Sequence, residues 1–390
     1  KRIYGREAEV AQLVEIYQDF FSKGKCFVTI GGYSGTGKTT LVNQIQKAIA
    51  DTNGLFISGK FDQYQRNVPY YAFFKAIEQF CDYILSENEH VMNEWSARLK
   101  EILAQDSKLL TDKIPKLERI IGKGQDSSAL SLIEEQARFK NALQKFFGAA
   151  ASLEQPLVMF IDDIHIADMG SLEILEEIMI NDQINGLFII SCYRDNEVDD
   201  SHQLIHTMKK ILQNGGNIRS IELKGINIDS ITQMIADSFN RELAESRELA
   251  SVIYDKTLGN PFYIIQLLKY GYSKKLIRFS VSLQRFEWNI RDFKKLRYND
   301  NVVDFLISNM SALPDETVEL LSMGACIGQS FELSLLAQVS DKSTDAVIEI
   351  LKPAVSAEIV RPSQKRKEGS TIIFDFCHDR FQQAYYTVMP

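Results

Sequence analysis

The chain has 390 residues, of which 45% are hydrophobic and 25% charged, and its formal net charge is −8. This length predicts two or three globular domains, and the acidic balance argues against a surface built to coat nucleic acid. No apolar run reaches the roughly 18 residues of a membrane helix, no signal peptide opens the chain, and the five cysteines form no CxxC pair, so we expect reduced thiols in a cytoplasmic protein.

Strands and helices are predicted to alternate over residues 1–222. An amphipathic helix is expected first, at residues 8–21, and a polar stretch at 86–130 is expected to form helical hairpins and loops. This alternation predicts an α/β fold with a parallel sheet between helices, and a ligand site at the carboxyl ends of the strands. The predicted strands are KCFVTIGG (25–32), GLFISGKFD (54–62), PLVMFIDDIH (156–165), GLFIISCYR (186–194) and IRSIELKGI (218–226).

From residue 223 the pattern becomes mostly helical. Residues 223–299 predict a small helical lid domain that includes an alternating, hairpin-like stretch at 276–290. Residues 300–390 predict about three helices, the first from residue 301, and then two β-like runs joined by the polar turn RPSQKRKEGS. That combination is typical of a winged-helix domain. The three predicted domains are therefore 1–222, 223–299 and 300–390.

The segment GYSGTGKT, from Gly32 to Thr39, fits the pattern G-x-x-x-x-G-K-[ST] between the first predicted strand and the next helix. Its glycines permit the backbone to curl so that consecutive N–H groups point inward, and the helix adds its positive N-terminal end. We expect the Lys38 ammonium to reach the β and γ phosphates of a nucleotide and the Thr39 hydroxyl to bind Mg²⁺. The alternative is a glycine-rich turn that fits by chance. The expected phosphate-binding residues are Gly32, Ser34, Gly35, Thr36, Gly37, Lys38, Thr39 and Thr40.

Asp162 and Asp163 follow the apolar run LVMFI at the end of the third predicted strand. After a P-loop, the first acid, Asp162, is expected to hold Mg²⁺, and the second, Asp163, to orient or deprotonate the attacking water. Arg194 ends the next strand, where its guanidinium can read the presence of a γ-phosphate. The alternatives are a polar turn and a surface arginine. We expect His165 to be a packing or turn residue rather than a catalyst.

At this point the sequence resembles a known family, the STAND branch of the AAA+ P-loop ATPases, which are large signal-transduction ATPases of the NB-ARC-like type. It is most similar to the ATPase modules of large bacterial multidomain signalling kinases and transcription activators. The resemblance runs over nearly the whole chain. The segments that carry it are YGREAEV (4–10), GKFDQYQRNVPY (59–70), YRDNEVDDSH (193–202), LGNPFYIIQLL (258–268) and CHDRFQQAYY (377–386).

The resemblance implies that ATP or ADP with Mg²⁺ is the cofactor and gives three further segments a role. Tyr4, Gly5 and Arg6 would lie near the adenine and ribose. Pro261 would open a lid helix and pack against the base. His378 would contact the β-phosphate of ADP and hold a closed resting state. Exchange for ATP would then open the chain or promote its oligomerisation.

The sequence also departs from the family of AAA+ motors. The second acid is Asp163 rather than glutamate, and the lid carries GNP at 259–261 in place of a sensor arginine. Both departures favour a slow switch over a fast motor. No clear arginine finger stands out, and Arg66 and Arg138 are no more than candidates. The role of GKFDQ (59–63) is undefined.

The alternative hypothesis is a DNA-binding ATPase similar to the origin-recognition proteins, which also join AAA+ and winged-helix domains. Residues 269–297 hold nine basic side chains against two acids, and the turn QKRKEG is basic. Such runs are usually solvated faces, so we do not expect nucleic acid to be a partner.

The expected partners follow from the switch hypothesis. They are the nucleotide, sensor or effector domains outside this segment, and a second copy of the chain in an ATP-dependent homo-oligomer; no membrane is expected. The sequence begins at Lys1 rather than Met, so we expect a piece of a longer protein. It lacks the motifs of a protein kinase catalytic domain, so any kinase activity of the parent would lie elsewhere.

Overall fold

The computed structural model describes residues 3–62, 68–124, 132–295, 313–363 and 372–388. Its internal contacts divide the chain into two compact units, Lys1–Ile231 and Thr232–Pro390. No helix in the described part of the chain combines the length and the apolar character that crossing a bilayer requires.

A five-stranded parallel sheet forms the centre of the first unit, as predicted. Its order is β2-β3-β4-β1-β5, and every strand pair is parallel. All eight residues of β1 are buried, because helices cover both faces of the sheet. The strands are β1 (Lys25–Gly32), β2 (Leu55–Lys60), β3 (Leu157–Asp162), β4 (Leu187–Tyr193) and β5 (Ile218–Leu223).

The helices of the first unit bury apolar side chains on the two faces of this sheet. One core contains Phe27, Ile57 and Met159, and the other contains Val28, Val158 and Phe188. These residues alternate along β1 and β3, as the two-residue period of a strand requires. The helices are α1 (Glu7–Lys23), α2 (Lys38–Val42), α3 (Gln46–Asp51), α4 (Tyr71–Ser86), α5 (Glu89–Leu103), α6 (Ser107–Thr111), α7 (Pro115–Ile121), α8 (Leu132–Ala150), α9 (Met169–Ile180) and α10 (Gln203–Gln213).

The single helix expected after the glycine-rich loop is interrupted in the structure. A 3₁₀ turn at Asn43–Ile45 separates α2 from α3. The apolar side chains of Leu41, Ile45 and Ile49 are nevertheless all buried, so the interruption preserves the helical face that packs on the sheet.

Helix α11 (Ile228–Phe239) spans the division between the two units. In the second unit, α12 (Leu243–Thr257) and α13 (Pro261–Ser273) precede the predicted hairpin, which consists of the antiparallel strands β6 (Ile277–Ser280) and β7 (Arg285–Trp288). Helix α14 (Ile290–Lys295) follows.

The described residues from 313 onwards contain four helices and a three-stranded antiparallel sheet in the order β8-β10-β9. The two predicted β-like runs form β9 and β10, and the three-residue β8 was not predicted. The elements are α15 (Asp315–Ile327), β8 (Ser330–Glu332), α16 (Leu333–Val339), α17 (Thr344–Ser356), β9 (Val360–Pro362), β10 (Ile373–Phe376) and α18 (Asp379–Val388).

The winged-helix assignment and the predicted domain limits at residues 222 and 299 stay predictions. The second limit and most of the helix expected from residue 301 fall within 296–312, which are not among the described residues. Most of the turn at 361–370 also falls outside the described residues.

Candidate functional site

The glycine-rich loop joins β1 to α2 at the carboxyl edge of the sheet. Gly35 and Gly37 have φ angles of 85° and 94°, which L side chains rarely adopt, so the loop depends on glycine at both positions. Lys38 is buried inside the loop, where its Nζ donates to the carbonyl oxygens of Gly32 (2.6 Å) and Tyr33 (3.0 Å). Burial lowers the pKa of Lys38, with the charges of neighbouring carboxylates opposing the shift. The loop therefore encloses its own cation at the first turn of α2.

The two side chains predicted to hold Mg²⁺ are neighbours in the structure. Thr39 Oγ1 donates to Asp162 Oδ2 at 3.4 Å, and Asp162 is the last residue of β3. No group of three or more histidine, cysteine or acidic side chains in the described residues can hold a metal ion. A hydroxyl and one carboxylate fit Mg²⁺, which takes oxygen ligands and keeps several waters beside substrate phosphates.

Asp163 lies at the centre of a group of charged side chains that we call the Asp163 cluster: Lys60, Asp163, His165, Arg194 and Glu197. The Asp163 carboxylate is 8% exposed, and Lys60 Nζ lies 3.2 Å from its Oδ2. Arg194 Nε and His165 Nδ1 lie 3.6 Å and 4.0 Å from its Oδ1. Two cations thus face one buried carboxylate, which compensates the cost of removing it from water.

Glu197 completes the Asp163 cluster by joining Arg194 to His165. Its Oε1 accepts from Arg194 NH1 at 2.8 Å, and its Oε2 lies 3.1 Å from His165 Nε2. Burial raises the pKa of Glu197, but the hydrogen bond and the charge of Arg194 outweigh it, so the pKa is lowered. Burial also lowers the pKa of His165, against the opposing charges of Asp163 and Glu197. A neutral imidazole therefore donates Nε2–H to an ionised carboxylate.

Sequence reasoning missed two members of the Asp163 cluster, Lys60 and Glu197. Both stand inside segments already singled out, GKFDQ and YRDNEV. Lys60 is the register partner of Asp162 where β2 pairs with β3, and this pairing carries the ammonium to the acids. A prediction that the second and third strands are neighbours in the sheet would have placed Lys60 beside the two acids.

Arg6 is buried beside the phosphate loop. Its NH2 donates to the carbonyl oxygens of Thr36, at 3.1 Å, and of Lys224, and its NH1 donates to Glu9 at 3.0 Å. The guanidinium thereby ties the start of α1 to the loop and to the chain after β5. The placement of Tyr4, Gly5 and Arg6 near adenine and ribose stays a prediction.

Two of these residues line a cleft of about 340 Å³. Its lining residues are Gly5, Arg6, Glu7, Ala8, Glu9, Glu222, Lys224, Gly225, Ile226, Asn227 and Ser230.

Within the second unit, two motifs predicted to touch the nucleotide contact each other. Pro261 is the first residue of α13, and the Asn260 side chain accepts from Phe262 N–H at 3.1 Å. The Phe262 and His378 rings stack with centroids 4.0 Å apart and an interplanar angle of 26°. His378 Nδ1 accepts from Arg380 N–H at 3.1 Å at the start of α18, so Nε2 carries the proton of a neutral ring.

The arginine-finger candidates gain no support. Arg138 Nε and NH2 donate to Asp106 Oδ1 at 2.9 and 2.6 Å, and Lys145 Nζ lies 3.1 Å from Oδ2. These contacts lower the pKa of Asp106 although burial alone would raise it. Arg138 thus fastens α8 to the residues after α5, whereas Arg66 lies outside the described residues.

Several cations of the basic stretch at 269–297 are paired with acids of the second unit. An acid beside each of these cations lowers the local positive charge that would attract a phosphate backbone. The pairs are Lys269 with Glu358, Arg285 with Glu245, Lys294 with Glu248 and Lys295 with Asp292.

Comparison with known families supports the assignment of this site. Residues 2–190 match the family described as AAA ATPase domain. This match covers the glycine-rich loop, both acids, β1 to β3 and the first part of β4. Together with the five-stranded parallel sheet it confirms the predicted P-loop fold of the first unit.

Two characterised relatives are histidine kinases of much greater length. The chain is 25% identical to "Hybrid signal transduction histidine kinase G" of Dictyostelium discoideum, over 99% of this chain and 14% of that protein. It is 23% identical to "Peroxide stress-activated histidine kinase mak3" of Schizosaccharomyces pombe, over 85% of this chain and 16% of that protein. The chain therefore spans a small part of either relative.

Solved structures with a similar course of the chain include a STAND protein with a tetratricopeptide repeat sensor from Pyrococcus horikoshii. It is 14% identical, with a TM-score of 0.47, and the match covers 100% of this chain and 43% of that one. Cdc6p from Pyrobaculum aerophilum is 13% identical, with a TM-score of 0.42, over 99% of this chain and 94% of that one.

Proposed function

We propose that the chain, whose residues 2–190 match the family described as AAA ATPase domain, is an ATP/ADP-dependent conformational switch that hydrolyses ATP slowly. The observation that carries the proposal is the convergence of Lys38, Thr39 and Asp162 with the Asp163 cluster at one edge of the sheet. These groups are the cation, the metal ligands, the base and the γ-phosphate reader that phosphoryl transfer needs.

Each of these side chains has a place in the proposed reaction. With nucleotide bound, Lys38 would exchange the loop carbonyls for the β and γ phosphates. Thr39 and Asp162 would hold Mg²⁺, which would neutralise phosphate charge. Asp163 orients the attacking water or takes its proton, and Arg194 reads the γ-phosphate. The ion pairs of Asp163 with Lys60 and Arg194 restrain the carboxylate, so it must exchange partners before it serves water. This restraint supports slow turnover.

The resting state of the proposed switch depends on Pro261 and His378. We propose that Pro261 packs against the base and that His378 contacts the β-phosphate of ADP. The stacking of His378 on Phe262 supports this, since it joins the start of the lid helix α13 to the start of α18 within one unit. A single ligand contact at either motif would therefore affect both.

The names of the relatives support a signalling role for the parent protein. Both are histidine kinases in which the matching segment is a minor part. We propose that this chain is likewise the nucleotide-dependent part of a longer signal-transduction protein, with sensor or effector domains elsewhere and an ATP-dependent homo-oligomer as the open state. We do not propose the DNA-binding alternative, because four of the nine cations in its basic stretch are paired with acids.

The test is the identity and amount of nucleotide that copurifies with the chain, released by denaturation and separated by chromatography. Wild type is expected to carry stoichiometric ADP. Lys38→Ala should carry none, whereas Lys47→Ala, at an exposed position of α3, should behave as wild type. An empty wild type that turns over added ATP freely would contradict the switch and point to an ordinary ATPase.

A second variant isolates the role of His378. His378→Asn keeps a side-chain acceptor for the start of α18 but removes Nε2 and the stacking ring. It should lose ADP or exchange it readily, while His206→Ala, at an exposed position of α10, should retain it. Retention of ADP by His378→Asn would show that the imidazole does not clamp the nucleotide.

A further inference from the structure

His165 is the most deeply buried member of the Asp163 cluster. Its side chain is 3% exposed, yet its Nδ1 has no hydrogen-bond partner. A buried polar atom without a partner destabilises a fold, and an apolar side chain of similar volume would avoid that cost. Packing alone therefore does not account for a histidine at this position. The contact that does is Nε2 with Glu197 Oε2 at 3.1 Å.

Glu197 has two carboxylate oxygens, and each has a partner. Oε2 accepts from His165, and Oε1 accepts from Arg194 NH1 at 2.8 Å. The Glu197 side chain is 37% exposed and lies in a short 3₁₀ turn after β4. The imidazole is the buried member of this chain of contacts, since its side chain is 3% exposed and that of Arg194 is 18% exposed.

We propose that His165 is a positioning residue that, by donating Nε2–H to Glu197, sets Arg194 in the orientation that distinguishes ATP from ADP. This inference rests on the proposed function, because it gives Arg194 its role at the γ-phosphate. In this role His165 would act on the nucleotide only through Glu197 and Arg194. It acts through one carboxylate, and Arg194 Nε remains aimed at Asp163, 3.6 Å away.

The geometry predicts which substitutions of His165 are tolerated. A glutamine amide nitrogen lies as far along its side chain as Nε2 of histidine, so His165→Gln keeps a donor for Glu197. An asparagine amide nitrogen corresponds to Nδ1 and falls short, so His165→Asn removes the donor. His165→Leu removes both nitrogens and with them the unpartnered Nδ1, so the thermal stability of this variant should be equal to or above wild type.

The test is the ratio of the dissociation constants for ADP and for a nonhydrolysable ATP analogue, both with Mg²⁺, on nucleotide-stripped protein. Arg194→Ala is expected to lower the preference for the ATP analogue by about tenfold, the worth of one charge-assisted contact. His165→Leu and His165→Asn should lower it to the same extent with ADP affinity unchanged, and His165→Gln should retain it. The double variant His165→Leu/Arg194→Ala should lose no more than Arg194→Ala alone.

The outcomes separate this inference from the function on which it rests. A preference that depends on Arg194 but survives in folded His165→Leu or His165→Asn would overturn the role of His165 and leave the switch intact. An equal loss in all three His165 variants would also overturn it, since the Nε2 donor would not be the cause. A wild type that binds neither nucleotide would overturn the proposed function and the inference together.

Discussion

Replacing Arg6 by alanine is expected to weaken both the fold of the first unit and its hold on the nucleotide. The buried guanidinium donates to the carbonyl oxygens of Thr36 and Lys224 and to the Glu9 carboxylate. Loss of the donor from each carbonyl costs about 1–3 kcal/mol, less where water enters from the adjoining cleft. The pair with the partly exposed Glu9 adds a few tenths. We expect a total loss of about 2–4 kcal/mol.

Urea unfolding measures this loss, followed by a probe in the first unit because the chain contains two units. For a unit of this size the loss corresponds to a fall of about 1 M in the unfolding midpoint. Arg219→Ala is the matched control, since it removes the same side chain from an exposed position of β5. Because Thr36 belongs to the phosphate loop, nucleotide affinity should fall as well.

The two measurements of Arg6→Ala separate its possible roles. An unchanged midpoint with weaker nucleotide binding would show that Arg6 acts on the nucleotide alone, as the family resemblance implies, and would refute the reasoning from its hydrogen bonds. An unchanged midpoint and unchanged binding would refute both roles.

Three further predictions test other parts of the structure. Gly59→Ala should destabilise the first unit by about 1–3 kcal/mol in urea unfolding, because the added Cβ would lie 1.9 Å from the Ala72 carbonyl oxygen. The control Gly148→Ala should not destabilise it, because its Cβ would meet no atom closer than 3.7 Å. Asp163→Asn should bind ATP but hydrolyse it about a hundredfold more slowly in a phosphate-release assay, and unchanged turnover would contradict its role as base. Burial lowers the pKa of His165, so the unfolded chain binds a proton at this residue more readily than the folded chain does. The free energy of unfolding should therefore decline as the pH falls below about 6.5, and it should decline less steeply in His165→Gln than in wild type.

The sheet and the phosphate loop could be predicted because their signals are local. Buried parallel strands are continuous apolar runs, and β1, β3 and β4 lie where such runs occur. The edge strand β5 (Ile218–Leu223) instead mixes apolar and polar residues. The spacing of the glycines, Lys38 and Thr39 likewise needs no long-range information. Asp162 could be placed near Thr39 because both follow strands whose carboxyl ends meet at one edge, and the contact between their side chains confirms this.

The contacts around these signals could not be predicted in the same way. Lys60 reaches Asp163 only because β2 pairs with β3, although the two strands are separated by α4 to α8 in the chain. The stacking of Phe262 on His378 joins segments even further apart. The three-residue strand β8 is too short to show a period of its own and exists because β10 pairs with it.

The interruption of the helix after the phosphate loop has a similar cause. Local propensity favours one continuous helix, but packing on the sheet decides how the turns at Asn43–Ile45 are wound. The sequence shows which side chains face the core. It does not show where one turn of the helix changes from α to 3₁₀ while those side chains stay buried.

The same carboxylate links the proposed slow hydrolysis to the proposed reading of the γ-phosphate. Asp163 is paired with Lys60 and Arg194, so one of the two cations that restrain it is the side chain proposed to read the γ-phosphate. Arg194 Nε is directed at Asp163 while Glu197 holds NH1 in position. A γ-phosphate that draws Arg194 away would therefore release the base at the same time. Recognition of ATP and competence for its hydrolysis would then follow from one exchange of partners, whose rate is set by how firmly the Asp163 cluster holds together.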